Sequence, residues 1–432
     1  MPFPGRPAGF LGTFVLPLFL ASPCGAYWLM AANNILTTQR LDPIISPGSV
    51  STHAHSVLGG SNFGLNTSTA ALRKSSCTSI PIPEDKSNYW FPVGVKHFPW
   101  SNGTFTRQAH SRLVLFRSNC YLDYLFNDTP GYTTEFPDDF RMVSGDPTLR
   151  TLDPSSFAQQ AITFLCLDFN GKSNRYNELP RSISCPSGIR SQINFPSCWN
   201  GKDTDSTDHK SHVAFLSTGP DNGTCTDPGS SPRFICQLVY WISQVFEDQR
   251  KDAMTPSQPF VQVESDPTGY GYHADFFNGW DSGVLQKALN GCNCNPYGDA
   301  TCCVNQGIFG MNTSSVCYIT NSVDEQSELS SALGTLSTLP GNNPIQAPCY
   351  QTYIDPITPP ILSPVYVYNG SAGGPTGTVA TPAQTAIVTQ TANGSCIRKG
   401  SSMSSRRPPS LFLLGVLATS VVNIVFEGVV GR

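Results

Sequence analysis

Pro, Gly, Asn and Asp clusters break up the apolar segments between Tyr27 and Asn290, and this punctuation limits the fold more than any motif does. The chain carries 37 Gly and 36 Pro in 432 residues, so signals for long helices are few. The surviving segments are short and β-branched or aromatic: Tyr89 to Val95, Arg112 to Phe116, Ile162 to Leu167, His212 to Leu216 and Phe234 to Trp241. Short strands between turn residues predict a mainly β domain, an antiparallel jelly-roll-like β-sandwich with long loops, rather than a βαβ fold. Two short helices are expected, one after Asp153-Pro154 toward Phe157 and one from Asp281-Ser282 through Leu289.

The two ends have a different character. Residues 1–26 offer Arg6, an apolar run from Phe10 to Leu20 and the small residues Cys24-Gly25-Ala26, the pattern of a secretory leader whose apolar run is too short to span a bilayer. Near the other end, Leu411 to Phe426 is a second short apolar run. It follows small residues at Asn393-Gly394-Ser395 and Gly400-Ser401-Ser402 and a polar spacer ending at Arg406-Arg407-Pro408-Pro409. That order is expected of a GPI-attachment signal at 410–432, with a tail-end transmembrane helix as the alternative.

A secreted chain would keep its cysteines oxidised. Of fifteen cysteines, loss of Cys24 with the leader leaves fourteen, an even number that suits disulfides. Six of them, Cys292, Cys294, Cys302, Cys303, Cys317 and Cys349, fall in residues 292–354 around an expected helix from Asp324 to Leu336. This predicts a small bridge-held module, either a domain or a flap on the main domain at 27–291. Without paired C-x-x-C motifs, disulfides are the expectation there rather than zinc. Residues 355–409 turn to Pro, Gly, Thr and Ser and read as an O-glycosylated stalk. Sequons at Asn66, Asn102, Asn127, Asn222, Asn312, Asn369 and Asn393 add expected N-glycans. Charged residues make up 13% of the chain and the net charge is -4 with no basic stripe, which argues against a nucleic-acid partner.

Chemistry concentrates in the histidines. Five of seven sit in His53-Ala54-His55, Asp208-His209-Lys210-Ser211-His212 and His273-Ala274-Asp275. On a strand, residues two apart share a face, so His53 with His55, and His273 with Asp275, would each present a pair of groups together. His209 and His212 converge only on a helical turn or tight loop, with Asp208 placed to orient a ring. If the fold gathers them, His53, His55, His209, His212 and His273 suit a divalent metal such as zinc or copper, with Asp208, Asp275 or His209 as proton-transfer or orienting groups. The same imidazoles would serve equally well as structural hydrogen-bonders under long loops. A second reading uses carboxylates: Asp42, Asp203, Asp205, Asp208 and Asp275 could supply a glycosidase pair, and Trp90, Trp100, Trp199 and Trp280 could stack on sugar or fill a core. No H-E-x-x-H, P-loop or G-x-S-x-G is present, and Gly269-Tyr270-Gly271 lacks the rest of a dinucleotide fingerprint.

Several blocks occur in one order: Arg40-Leu41-Asp42-Pro43-Ile44-Ile45-Ser46-Pro47-Gly48, Ser51-Thr52-His53-Ala54-His55, Gly59-Gly60-Ser61-Asn62-Phe63, Ser87-Asn88-Tyr89-Trp90-Phe91-Pro92, Phe195-Pro196-Ser197-Cys198-Trp199-Asn200-Gly201 through His212, and His273-Ala274-Asp275-Phe276-Phe277-Asn278-Gly279-Trp280. Over residues 38 to 292 this order resembles a secreted family of fungi and actinobacteria, catalogued as a domain of unknown function and in fungi often fused to WSC carbohydrate-binding modules. The resemblance implies a wall or extracellular glycoprotein with cell-wall polysaccharide as partner, and it draws the five histidines, Asp208 and Asp275 toward one pocket. It supplies no activity. Two functions follow as expectations: a metal-dependent or carbohydrate-active enzyme, and a non-catalytic wall or glycan-binding protein.

Overall fold

The structure is a computed structural model. It describes residues 26–92, 97–107, 120–126, 133–225, 231–233, 235–242, 247–292, 298–319, 322–323, 335–353, 355, 358–363, 367–368 and 378–379. The leader, the GPI-type tail, the strand expected at Arg112 to Phe116 and most of the helix expected at Asp324 to Leu336 lie outside the described residues. Among those residues no helix is long and apolar enough to cross a membrane.

Eleven strands make the two main sheets: β1 (Ala26–Ala31), β2 (Thr37–Gln39), β3 (His55–Gly59), β4 (Asn88–Pro92), β5 (Cys120–Phe126), β6 (Arg141–Gly145), β7 (Ile162–Cys166), β8 (Asn174–Tyr176), β9 (Ile189–Asn194), β10 (Ile235–Ile242) and β11 (His273–Phe277). One sheet runs β1-β5-β10-β9-β7-β8 and the other β2-β3-β4-β11-β6, with antiparallel neighbours throughout. Helices are short: α1 (Thr69–Leu72), α2 (Phe157–Gln160), α3 (Val284–Gly291) and α4 (Thr301–Asn305). The fold is therefore mainly β and antiparallel, as the short punctuated segments predict. The expected strand at Ile162 corresponds to β7, and the expected helices near Phe157 and Asp281 correspond to α2 and α3.

Side-chain alternation sorts the five-stranded sheet into two faces. Leu58, Tyr89, Phe91, Met142, Ala274 and Phe276 point inward and share a cluster with Ile162, Phe164, Ile189 and Ile193 of the six-stranded sheet. This shared core makes the two sheets a sandwich. Phe276 lies at its centre, fully buried, with ring centroids 4.6 Å from Phe136 and 5.1 Å from Tyr89. The outward residues are buried too. Val57, Trp90 and Val143 pack with Leu36, Leu41, Ile44, Phe63, Cys317 and Ile319 from covering loops. Trp90 and Trp280 are thus core residues, and neither is a surface platform for a sugar ring.

Disulfides fasten this cover. Cys77–Cys317 ties the segment after α4 to the loop before β4 across 240 residues of chain, and Cys166–Cys185, Cys198–Cys225 and Cys292–Cys303 close shorter loops. Cys302 and Cys349 are also disulfide-bonded, so bridges rather than zinc occupy the cysteines described at 292–354. Ala300, Cys303 and Phe309 join the inner core while Cys317 and Ile319 join the outer one, so this region packs as a flap on the sandwich.

Truncating Phe276 to Ala should cost about 4 kcal/mol, the usual range for an aromatic lost from a close-packed core. Phe169→Ala, at a side chain 67% exposed, should leave stability nearly unchanged. Chemical denaturation of both variants measures the difference.

Candidate metal centre

The outer face of the five-stranded sheet carries polar groups that its surroundings do not solvate. Val57, Trp90, Asp275 and Val143 stand opposite one another on β3, β4, β11 and β6, forming one row across the sheet. His55 and His273 each lie two residues before a member of this row, on the same face, and His53 precedes His55 by two more. The expected pairing of His273 with Asp275 follows from strand alternation, whereas His53 lies in the bend just before β3 and still brings its ring to 4.4 Å from that of His55. His53, His55 and His273 each offer a nitrogen within 4.8 Å of the other two, and all three rings are buried.

Backbone carbonyls set the tautomers. A carbonyl can only accept, so His55 Nδ1–H donates to Leu41 O at 2.9 Å and His273 Nδ1–H donates to Gly271 O at 3.0 Å. Both rings then present Nε2 as a lone pair. His55 Nε2 has no hydrogen-bond partner although it is fully buried. His273 Nε2 lies 3.0 Å from His53 Nε2, so one proton bridges them when no ion is present, carried on His53. Thr52 Oγ1, 3.1 Å from His53 Nδ1, can donate or accept and so supports either His53 tautomer. Donation of the distal N–H to a backbone carbonyl is the usual way a metal-binding histidine is oriented.

Electrostatics favour neutral rings. Burial lowers His55 and His273 to about 3, and it lowers His53 well below the ordinary range, reinforced by its two histidine neighbours and Arg40. Neutral imidazole is the form that binds metal. Two carboxyl groups stand beside the rings. Burial and then Asp42 raise Asp275 well above the carboxylate range, and both Asp275 oxygens lack hydrogen-bond partners. Burial also raises Asp42, against N–H donation from Ile45 and Ile44 to Asp42 Oδ1. Bonds of about 2.0–2.1 Å from three imidazoles to one zinc ion need nitrogens slightly more than 3 Å apart. The three ring nitrogens lie within 4.8 Å of one another, so they would have to close in on an ion, and Asp275, two residues along β11 from His273, and Asp42 are the carboxyl groups on this side of the sheet.

The middle cluster does not join this group. His209 Nδ1 pairs with Asp205 Oδ1 at 2.7 Å, and Asp205 Oδ2 takes Arg141 Nε at 2.7 Å. His212 spends both ring nitrogens, one against Ser206 Oγ at 2.9 Å and the other on Arg141 O at 2.8 Å. Asp208 Oδ1 accepts from Lys210 N, Ser211 N and Ser211 Oγ, which closes a tight loop. His209, His212 and Asp208 therefore fasten the 205–212 loop against β6, where His209 O accepts from Val143 N at 3.0 Å. The prediction of a single five-histidine set fails because these side chains find local partners first. The sequence had marked Asp42 among several aspartates without singling it out. The orienting carbonyls of Leu41 and Gly271 have no residue-type signature at all.

Residues 42–280 match the family described as Domain of unknown function (DUF1996). The chain belongs to that family. No curated protein matches it, and no solved structure does. The DUF1996 segment begins at Asp42 and ends at Trp280, so it holds both carboxyl groups, all three clustered imidazoles and the 205–212 loop. The resemblance seen in the ordered sequence blocks is thereby placed on a named domain.

Asp208 gives this DUF1996 loop a dependence on acid. N–H donation from Ser211, outweighing partial burial, holds its carboxyl far below the usual range. A depressed carboxylate stabilises the folded form above its unfolded pKa of about 3.9, and that contribution is lost as pH falls through the lower folded value. Protection of the Lys210 and Ser211 amides, measured against intrinsic exchange rates at each pH, should fall progressively below pH of about 4. Asp208→Asn should show fast exchange already at neutral pH.

Proposed function

We propose that the chain is a secreted, glycosylated fungal cell-surface protein, GPI-anchored at the plasma membrane or held in the cell wall, in which His53, His55 and His273 bind one divalent transition metal. The single observation that carries the metal reading is the buried, partnerless Nε2 of His55, aimed by its Leu41 hydrogen bond toward two further imidazoles. A buried polar nitrogen left unpaired costs about 1–3 kcal/mol, and a metal ion removes that cost. Zinc and copper both accept this donor set. Such an ion supplies Lewis acidity when bound. Asp275, next along the same strand face, is the group that would hold or move a proton, and Leu41 O and Gly271 O keep the rings aimed.

Secretion is supported by the leader-like residues 1–26, by the disulfides and by the exposure of Asn66, Asn102, Asn222 and Asn312, four of the seven sequons. The apolar tail supports the anchor. The partner in this reading is cell-wall polysaccharide, and the activity is a metal-dependent or carbohydrate-active one. Burial of the centre favours a second reading, a non-catalytic wall or glycan-binding protein in which the ion braces the fold: the three histidines are 7%, 0% and 3% exposed.

Metal analysis of the purified mature protein should find about one zinc or copper ion per chain. His55→Ala and His273→Ala should each lose the ion, whereas His209→Ala should keep it. Metal-free protein after growth with both metals present would end the proposal. Treatment of intact cells with phosphatidylinositol-specific phospholipase should release the protein. Retention together with an uncleaved apolar tail detected by mass spectrometry would instead establish a membrane span.

A further inference from the structure

A cleft of about 430 Å³ opens on the surface beside β6, between Ser144, Gly145 and Asp146 on one side and α2 and the segment around Phe215 on the other. Its size falls within the range of small-ligand pockets. The cleft and the buried imidazoles share a thin wall. Gly145 faces the cleft and pairs directly with His273 of β11. It has φ of +84°, and a Cβ there would come within 2.7 Å of His273 Cα and 2.9 Å of His273 Cβ, so only a glycine lets the two strands approach this closely. Lys210 completes the wall. Lys210 lines the cleft, its ammonium donates to Gly145 O at 2.6 Å, and its charge acts on both His273 and Asp275.

We infer that this cleft is the ligand cleft of the imidazole centre, that it takes a neutral glycan segment, and that Lys210 is the positioning residue linking the two. The inference rests on the proposed metal centre and adds a ligand site on the other side of its wall. The ligand class follows from the lining. Lys210 and Asp146 offset each other in charge, which suits neither a polyanion nor a polycation. Ser156 and Gln159 add hydroxyl and amide groups, and half-buried Phe215 offers an aromatic face. Hydrogen-bonding groups around an aromatic ring match the alternating hydroxyl and C–H surfaces of a sugar. A sugar hydroxyl can replace Gly145 O as the acceptor for the Lys210 ammonium, so filling the cleft moves a charge near His273.

The test is calorimetric titration of the mature protein with hexasaccharides of chitin, β-1,3-glucan and mannan, with a uronic-acid hexasaccharide as anionic control. At least one neutral sugar should bind, and Phe215→Ala and Gln159→Ala should each weaken it about tenfold. In cobalt-loaded protein the same sugar should shift the cobalt absorption bands. Lys210→Met, with its fold checked by circular dichroism, should bind cobalt but lose that shift. The inference is overturned if no neutral sugar binds, if only the anionic control binds, or if binding is unchanged in both cleft variants. An unchanged cobalt shift in Lys210→Met overturns the role of Lys210. Cobalt binding without sugar binding defeats the cleft and leaves the metal reading standing, while cleft-dependent sugar binding without cobalt does the reverse.

Discussion

Burial of both faces of the five-stranded sheet is the constraint from which the rest of the structure follows. An antiparallel sheet commonly leaves one face to water, and polar side chains on that face then cost little. Here the inner face packs on the second sheet and the outer face lies beneath loops that bring Leu36, Leu41, Ile44, Phe63 and Ile319 onto Val57, Trp90 and Val143. Every polar group on the outer face must therefore find a protein partner, lose its charge or hold a ligand. His55, His273 and Asp275 stand on that face.

The covering loops do more than exclude water. Leu41 contributes a side chain to the outer apolar cluster and a carbonyl to His55, so packing and ring orientation come from one residue. Arg40 donates to Ser51 O and pairs with Asp355 at 2.8 Å, and Asn343 donates to Thr52 O, which holds the residues before His53 between two later segments of chain. Cys77–Cys317 fixes the same cover covalently. Its stability contribution and its role in placing the histidines cannot be separated, since the loops that keep the site dry are the loops that aim it.

The sequence made the strand-level features legible because they rest on local periodicity. Ile162 to Leu167 reads as a strand from its own residues, and an H-x-H pair on an extended segment shares a face wherever that segment lies. Which histidine clusters meet depends on sheet order. β11 arrives between β4 and β6 from a long way along the chain, and no local signal fixes that position. The 205–212 loop misled for the opposite reason. Its Asp208-His209-Lys210-Ser211-His212 pattern is dense in ligand-type residues, yet Asp205, Ser206 and Arg141 are close enough to satisfy them without any ion. Burial of Trp90 and Trp280 was likewise not legible locally, since it depends on segments distant along the chain.

Charge and pairing distinguish the two sites that the histidine pattern had merged. At the 205–212 loop the ring of His209, the guanidinium of Arg141 and the carboxylate of Asp205 already form a compensated set. At the outer face three neutral rings contribute donors but no charge, and the carboxyl groups nearest to them are Asp42 and Asp275. Arg40 is committed to Asp355 and Ser51, and the Lys210 ammonium to Gly145 O. With neutral rings and carboxyl groups that burial pushes toward their uncharged form, the cost of this dry site lies in polar atoms left unpaired, His55 Nε2 and both oxygens of Asp275. In the proposed centre a dication would engage the lone pairs where His53, His55 and His273 gather, whereas at the middle cluster it would have to displace an ion pair that is already complete.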